Sequence, residues 1–256
     1  MLEVLEAQIL ERPNLVHGFT TRRGGVSRGP YARLNLSASL GDGHPSVAEN
    51  RARVGDALGL NVLAFADQVH GSSVLTVDHV QDDTWSVGEG DALITDRPGI
   101  GLVAQTADCT PVLIFDPERQ AVAAVHSGWR GVVQNVVGAS VSALTTVYGS
   151  NPSDLVAALG PAISKARYRV GPEVLAAAER AFGTLDDGLV GPRDGEGGAT
   201  LDVSEAVRRQ LVGAGLRREN VERLAICTYE DSRFFSSRRA RKGPFGSQGG
   251  IIGLPL

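Results

Sequence analysis

Cysteine is scarce in this chain of 256 residues, in which only Cys109 and Cys227 are present. Two cysteines cannot form the disulfide framework of a small secreted domain, and cysteines at positions 109 and 227 do not form the cluster that is typical of a zinc finger. No apolar run approaches the roughly 20 residues that cross a membrane, and the acidic start MLEVLE (1–6) does not resemble a signal peptide. We therefore expect a cytoplasmic protein that has no membrane partner.

The chain also lacks an excess of positive charge. It holds 25 basic and 29 acidic residues, which gives a net charge of −4. This balance excludes a protein built mainly to coat nucleic acid, and it suits a protein whose partner is small, neutral or bound at one local site. One basic cluster, RRARK (238–242), has three interpretations: a nucleic-acid patch, a solvated face or a phosphate-facing loop. The acidic total favours the last two.

Hydrophobic residues make up 42% of the chain, which is enough for a core. No linker divides the sequence, so we predict one domain spanning residues 1–256. Apolar spacing and turn signals predict helices and strands without a regular strand–helix alternation, which favours an α+β fold with a mixed sheet. The predicted helices cover residues 46–58, 129–147, 172–182 and 202–212. The predicted strands cover 16–21, 63–77 (broken at Gly71), 91–95, 101–115, 120–126, 155–159, 222–229 and, at a sheet edge, 251–256.

The segments 101–115 and 120–126 flank the turn sequence DPER (116–119) and predict a β-hairpin. With a two-residue loop at positions 117 and 118, Cys109 would lie directly opposite His126. Cross-strand neighbours are about 4.5–5.5 Å apart at Cβ. The thiol and the imidazole could therefore share a metal ion, or the imidazole could accept the thiol proton. A change of one residue in the loop would place the two side chains on opposite faces.

His70 is a third candidate ligand, because it ends a strand-like run beside Gly71, where a ring could face a site. A His-Cys-His set leaves a fourth position open for water or substrate, which is typical of catalytic rather than structural zinc. The alternative is that the histidines are satisfied core residues and that the cysteine is buried and inert.

The sequence HSGWRG (126–131) lies at a predicted strand-to-helix turn. A helix N-terminus offers free N–H groups to an anion, and Arg130 could add a bidentate grip on phosphate. The alternative is a tight turn in which Trp129 packs in the core and Arg130 is solvated.

Taken together, several motifs resemble those of the YfiH-like, or laccase-domain, family. Its members were first called polyphenol oxidases and are now described as purine nucleoside phosphorylases. The motifs occur in family order along nearly the whole chain, and the combination of QVH, ADC and HSGWRG is the most specific. They are HGFTTRRGGVS (17–27), LNL (34–36), QVHG (68–71), DALIT (91–95), TADC (106–109), PVL (111–113), HSGWRG (126–131), LGPAI (159–163) and CTY (227–229).

The resemblance implies a layered α/β/β/α sandwich with a mixed β-sheet, and a zinc ion bound by His70, Cys109 and His126. It also implies phosphorolysis of purine nucleosides, with adenosine deamination and cleavage of methylthioadenosine as further activities. The partners would then be purine nucleosides and phosphate, and the protein a monomer or a small homo-oligomer. The same fold is distantly related to toxin-type cysteine hydrolases, in which Cys and His are catalytic.

On this interpretation the expected catalytic residues are Cys109, His126 and Asp108, with Asp108 transferring a proton or supporting the metal. A turn or strand-end role for Asp108 is the alternative. Phosphate would be held by Arg130 and the amides that open its helix, together with Arg22. The expected substrate-binding residues are Arg22, Asn35, Asp91 and Arg130.

Two segments depart from the family pattern. FFSSRRA (234–240) and FGS (245–247) lack an aromatic residue, an acid and an arginine that are usual near the C-terminus, and ARYR (166–169) replaces Cys-Cys-Tyr-Glu. Three rival functions stay open. They are a metal-free hydrolase that uses Cys109 with His126, a copper-dependent phenol oxidase, and a binding protein without turnover. Zinc is favoured over copper because five histidines are few for a set of copper centres.

Overall fold

A computed structural model describes residues 2–79 and 85–256. Within these residues, most strands belong to two six-stranded mixed sheets, and α-helices lie on the outer faces of both. The helices are α1 (His44–Leu58), α2 (Trp129–Val133), α3 (Val136–Tyr148), α4 (Pro172–Phe182), α5 (Val203–Gly213) and α6 (Ser237–Ala240). The strands are β1 (Val4–Leu5), β2 (Val16–Thr20), β3 (Val62–Asp67), β4 (Val74–Thr76), β5 (Trp85–Glu89), β6 (Ala92–Thr95), β7 (Ile100–Thr106), β8 (Thr110–Asp116), β9 (Ala121–Ser127), β10 (Val156–Leu159), β11 (Arg169–Val170), β12 (Ala199–Thr200), β13 (Val221–Arg223) and β14 (Gln248–Gly253).

The first sheet has the strand order β1-β2-β14-β7-β3-β5, and the second has the order β13-β10-β8-β9-β6-β4. In the first sheet, β3 runs parallel to both β5 and β7, while the remaining pairs are antiparallel. In the second, β13 is parallel to β10 and β4 to β6, and the pairs between them are antiparallel. The predicted mixed-sheet α+β architecture is therefore confirmed. Strands β11 and β12 pair separately.

The order of the layers follows from the side chains of β8, which point alternately to its two faces and are all buried. Leu113 and Phe115 face the first sheet, while Val112 and Ile114 join a second cluster with the apolar faces of α3 and α5. Successive strand side chains point to opposite faces, so a strand buried on both sides must be apolar throughout. A third cluster covers the outer face of the first sheet, where Phe65 packs with Val54 of α1 and its neighbours. This is the predicted α/β/β/α sandwich.

The hairpin β8–β9 has a different register from the predicted one. Asp116 pairs with Ala121, so four residues form the loop, and His126 pairs with Pro111 rather than with Cys109. The reason is local: an oxygen of the Asp116 side chain accepts hydrogen bonds from the N–H groups of Glu118 and Arg119, at 2.8 and 3.0 Å. The shift is two residues, which preserves the face on which each side chain lies.

Other predicted boundaries also change. The predicted helix 129–147 is two helices, because Asn135 adopts a left-handed conformation (φ 58°) between α2 and α3. The predicted strand 101–115 is interrupted before β8, where Asp108 has φ 96°. The strand predicted at 222–229 is β13, which ends at Arg223. After it, the Ile226 N–H donates to the Leu224 carbonyl in a tight turn.

The C-terminal strand was predicted at a sheet edge and is central instead. β14 pairs with β2 on one side and β7 on the other, and its six residues are buried. The predicted segment 63–77, broken at Gly71, forms two strands in different sheets, β3 and β4, with residues 68–73 between them. The other predicted helices and strands are present with small changes in their limits. In the part of the chain that is described, no helix is both long and apolar enough to cross a membrane.

Candidate metal centre

Two imidazoles and one thiol converge at one end of the sandwich. His70 lies in the loop after β3, Cys109 in the connection between β7 and β8, and His126 near the end of β9. One ligand atom from each lies within 4.8 Å of the other two. The imidazole rings meet edge to face, with centroids 4.8 Å apart at 88°. His70 is exposed and His126 is buried, so the cluster opens to solvent on the His70 side.

A buried carboxylate positions two of the three ligands. Oδ1 of Asp91 lies 2.8 Å from Nδ1 of His126 and accepts the His70 N–H at 2.9 Å, while Oδ2 accepts the Gly71 N–H at 2.6 Å. The Asp91 carboxylate holds a proton on Nδ1 of His126, so Nε2 is the ring nitrogen that faces the cluster. Asp91, predicted to bind substrate, thus has its carboxylate occupied by the protein.

Two residues of the site have left-handed backbones. His70 has φ 61°, and Asp108, which precedes Cys109, has φ 96°. Such conformations are uncommon outside glycine and persist where the surroundings hold them. The Asp91 carboxylate stabilises the left-handed conformation of His70 by accepting the N–H groups of His70 and Gly71. The Asp108 carboxylate holds the second by accepting from three hydroxyl groups and one N–H, contributed by Thr228, Ser236, Ser237 and Arg238.

Gly128 leaves the space that the cluster needs. A Cβ at this position would lie 2.9 Å from the Cys109 sulfur and 3.3 Å from Cδ2 of His70. Gly128 is the N-cap of α2 and has extended backbone angles (φ −86°, ψ 176°), which other residues also adopt. Glycine is therefore needed at this position because it has no side chain, and not because of its backbone conformation.

The thiol and the buried imidazole form an ion pair. Burial opposes ionisation of Cys109, but the His126 imidazolium and hydrogen bonds from both histidines outweigh it and lower the thiol pKa to about 6. Burial likewise opposes protonation of His126, while the Cys109 thiolate and Asp91 outweigh it and raise the imidazole pKa to about 9. Both shifts favour the thiolate of Cys109 over the thiol at neutral pH, and the thiolate is the form that binds metal or attacks carbon.

This donor set fits a zinc ion. Zn–N bonds of about 2.0–2.1 Å and Zn–S bonds of about 2.3 Å place tetrahedral donors roughly 3.3–3.6 Å apart, and the three donors already lie within 4.8 Å of one another, so side-chain shifts of about 1 Å would close the cluster around an ion. The carboxylate on Nδ1 of His126 is the usual support for a metal-binding imidazole. Three protein ligands would leave one position of a four-coordinate ion unfilled, and the three side chains line one cavity.

That cavity has a volume of about 630 Å³. Its walls combine apolar and aromatic side chains with hydroxyls, amides and a few charged groups, as is usual for small-molecule sites. Among the lining residues are Cys109, His70 and His126 together with Ser37, Arg51, Phe65, Gln68, Gln105, Ser237, Phe245 and Ser247.

Arg51 of α1 is the functional candidate that the sequence reasoning did not identify. Its guanidinium carbon lies 3.7 Å from the centre of the Phe65 ring, and its Nε donates to the Leu36 carbonyl at 3.0 Å. Burial alone lowers its pKa to about 10, without a contribution from any carboxylate of the described chain. A signal was available in the sequence: position 51 follows Val47 by one helical turn, so a charge lies beside the inward face of α1.

The predicted substrate-binding residues do not gather in this cavity. Arg130 is exposed and stacks on Trp129 outside the lining. Asn35 is buried, donating to Asp42 and to the Ser37 carbonyl and accepting the Ser247 N–H. It therefore shapes the cavity wall from behind. Arg22 lines a separate cavity.

The basic cluster 238–242 begins within α6, and part of it is structural. The Arg238 N–H donates to Asp108, and the Arg239 guanidinium donates to the carbonyls of Thr228 and Tyr229 at 2.6 and 2.9 Å. These bonds join the C-terminal segment to the strand end that carries Cys109.

A sequence model of the family described as "Multi-copper polyphenol oxidoreductase laccase" matches residues 16–255 of this chain. The chain belongs to this laccase-domain family. The family match extends over both sheets and includes all three residues of the cluster, as the motif resemblance predicted.

Other members of the laccase-domain family align over nearly the full length. "Purine nucleoside phosphorylase" of Deinococcus radiodurans is 42% identical over 252 residues, covering 96% of this chain and 93% of that protein. "Purine nucleoside phosphorylase YlmD" of Bacillus subtilis is 31% identical over 248 residues, covering 94% and 88%. The crystal structure of YlmD from Geobacillus stearothermophilus superposes with a TM-score of 0.88 at 31% identity, covering 98% of this chain and 94% of that one. The crystal structure of the Bacillus licheniformis hypothetical protein YfiH gives 0.87 at 32% identity, covering 96% and 98%.

Proposed function

We propose that this chain is a zinc-dependent purine nucleoside phosphorylase, which converts a purine nucleoside and phosphate to the free base and ribose 1-phosphate. The observation that carries the proposal is the convergence of His70, Cys109 and His126 on one wall of a cavity of nucleoside size. The names of the relatives support the same reaction.

Zinc fits the donor set better than a group of copper ions does. A multicopper oxidase needs many histidines around several metals, whereas the described cluster contains two. The other three histidines are dispersed: His17 bonds with Ala7, His44 begins α1, and His79 pairs with Asp78 on the surface. When bound, the ion would supply a Lewis acid at the open coordination position.

Phosphate binding falls to Arg51 in this proposal, rather than to Arg130 and Arg22. Helix α2 is only five residues long, and neither of the two predicted arginines lines the metal cavity. Arg51 does, and its charge has no carboxylate partner among the described residues. Its guanidinium is held over the Phe65 ring and by the Leu36 carbonyl, which positions it to bind an oxyanion.

The nucleoside would occupy the rest of the cavity. Phe245 offers an apolar surface for a purine ring, while the paired hydroxyls of Ser37 and Ser39 offer hydrogen bonds to the sugar. A neutral nucleoside suits this lining, because the charged groups that line it are of both signs: Arg51 and the exposed carboxylates of Asp67 and Glu89. We assign Asp108 to positioning Cys109 and the segment after Phe235, instead of to proton transfer.

Adenosine deamination and methylthioadenosine phosphorolysis belong to the same proposal as side reactions. Both substrates present a purine and a ribose of nearly the same size as inosine, so the cavity volume accommodates them as well. We also propose that the protein is cytoplasmic and is a monomer or a small homo-oligomer.

A second candidate function is a metal-free cysteine hydrolase. The alignment of Asp91, His126 and Cys109, in which the carboxylate orients the imidazole and the imidazole ionises the thiol, favours it. This is the arrangement that activates a cysteine nucleophile. Removal of metal separates the two functions, because chelation should abolish phosphorolysis and should leave a cysteine hydrolase active.

The deciding experiment measures metal content and inosine phosphorolysis on the same preparations. We expect one zinc ion per chain, and formation of hypoxanthine that depends on both zinc and phosphate. Cys109→Ala should lose the metal and the activity while its circular dichroism stays unchanged. Cys227→Ala is the matched control, since it removes the other free cysteine. A metal-free Cys109→Ala protein with full activity would refute the proposal.

A further inference from the structure

A second cavity, of about 730 Å³, lies apart from the metal centre and is lined mainly by arginines. The two cavities share no lining residue. Helix α1 stands between them, because Arg51 lines the metal cavity while Arg53 lines the other, and residues two apart on a helix point in roughly opposite directions. The arginines of the second cavity are Arg22, Arg23, Arg33, Arg53 and Arg233, and we call it the arginine pocket.

Three of these arginines have carboxylate partners. Arg53 pairs with Glu49 at 2.7 Å, and Arg233 pairs with Asp231 at 2.7 Å. Glu3 lies 2.8 Å from Arg233 and 3.3 Å from Arg23. Three carboxylates, those of Glu3, Glu49 and Asp231, therefore compensate the charges of three guanidinium groups.

The other two arginines carry charge that nothing in the described chain compensates. The Nε of Arg22 donates to the Ala32 carbonyl at 2.5 Å, and its guanidinium stacks on Phe235 at 4.5 Å. Burial, followed by repulsion from Arg239 and Arg33, lowers the pKa of Arg22. Arg33 is exposed at the rim, without an ion pair in the described residues. The five arginines thus leave two positive charges facing one cavity.

The backbone adds one donor to this charge. Gly24 and Gly25 line the pocket, and the turn at residues 23 and 24 directs the Gly25 N–H towards the Arg22 carbonyl, while the Gly24 N–H has no acceptor within the part of the chain that is described. Gly25 packs so closely on the backbone of Arg33 that a Cβ would collide with it. The Gly24 N–H therefore lies beside guanidinium groups, a combination that suits a tetrahedral oxyanion.

We propose that the arginine pocket is a binding site for a phosphate dianion, either inorganic phosphate or the phosphate of a small monoester. The two uncompensated charges match the charge of such a group near neutral pH, and guanidinium forks bind its oxygens in pairs. The site is separate from the metal cavity and does not depend on the reaction proposed for that cavity.

The test is calorimetric titration of the full chain at fixed ionic strength. The probes are inorganic phosphate, glycerol 2-phosphate and, as the uncharged comparison, glycerol. Arg33→Gln should weaken phosphate binding at this site about tenfold or more, since it removes a charge-assisted contact. Arg22→Gln should act in the same direction. Arg28→Gln is the matched control, because it removes an exposed arginine from the same loop outside the pocket lining.

The variant Arg51→Gln distinguishes this site from the metal cavity and should retain binding at the arginine pocket. Binding of both anions supports a monoester site, whereas binding of inorganic phosphate alone supports a site for the free ion. The proposal is overturned if Arg22→Gln and Arg33→Gln bind phosphate as tightly as Arg28→Gln, or if all phosphate binding disappears in Arg51→Gln.

Discussion

The carboxylate of Asp91 lies 2.8 Å from Nδ1 of His126, and both side chains are almost completely buried. The same carboxylate holds the loop N–H groups that carry the other imidazole of the cluster. One acidic group in the interior therefore orients one imidazole of the candidate metal centre and holds the backbone conformation of the other.

Asp91→Asn should weaken zinc binding about 10- to 100-fold, which is the usual cost of removing the carboxylate behind a metal-binding histidine. The amide keeps the shape of the side chain but presents no negative charge to His126. Competition with a chromophoric chelator measures the change. Asp78→Asn is the control, because Asp78 forms a surface Asp–His pair with His79 at 2.6 Å, away from the cluster. Equal zinc affinity in the two variants would contradict the role of Asp91.

The ionisation of Cys109 predicts a specific pH dependence in the metal-free protein. Its pKa is lowered from 9.0 to about 6, so the thiolate is present above pH 6 and is lost as the pH falls through that value. The rate of alkylation by iodoacetamide should therefore reach half its plateau near pH 6. Subtraction of the rate in Cys109→Ala removes the contribution of Cys227. An inflection near the ordinary thiol pKa would show that His126 does not stabilise the thiolate, and saturating zinc should suppress the reaction.

The sequence predicted the cluster better than it predicted the hairpin that carries it. The loop of β8–β9 is longer by two residues than expected, because the Asp116 side chain caps it. A shift of two residues keeps Cys109 and His126 on one face, so the predicted proximity is correct although the predicted register is wrong. A shift of one residue would have placed the two side chains on opposite faces.

Other features depend on contacts that are distant in sequence, and local patterns could not reveal them. The tail became a central strand because β2 and β7, both more than 140 residues earlier, pair with its two sides. Asp91 follows a glycine before a short strand, which gives no sign that it faces His126. The role of Arg51 likewise depends on where α1 packs against the first sheet.

Asp108→Ala should destabilise the protein by about 3 kcal/mol, because it leaves several buried donors without their charged acceptor. The loss falls on the hydroxyl groups of Thr228 and Ser236 and on the N–H of Arg238. Urea denaturation measures the free energy of unfolding. Asp96→Ala provides the comparison, since Asp96 forms only an exposed pair with Arg97 at 3.6 Å and should change stability by about 1 kcal/mol or less. Similar losses in both variants would remove the support for Asp108 as an anchor.

Gly128→Ala tests whether the space beside the sulfur is needed for metal. The added methyl would lie 2.9 Å from Cys109 Sγ, so either the thiolate or the His70 ring must move away from the position where the three donors meet. Overpacking of this kind costs about 1–3 kcal/mol, and we expect zinc affinity to fall by at least about tenfold. Gly43→Ala is a closely matched control: Gly43 also caps a helix with extended backbone angles, and its Cβ would meet open space. Because alanine is compatible with both backbones, a selective loss of zinc in Gly128→Ala reports on the cluster itself, while unchanged affinity would show that the ligands can close around the ion from further apart.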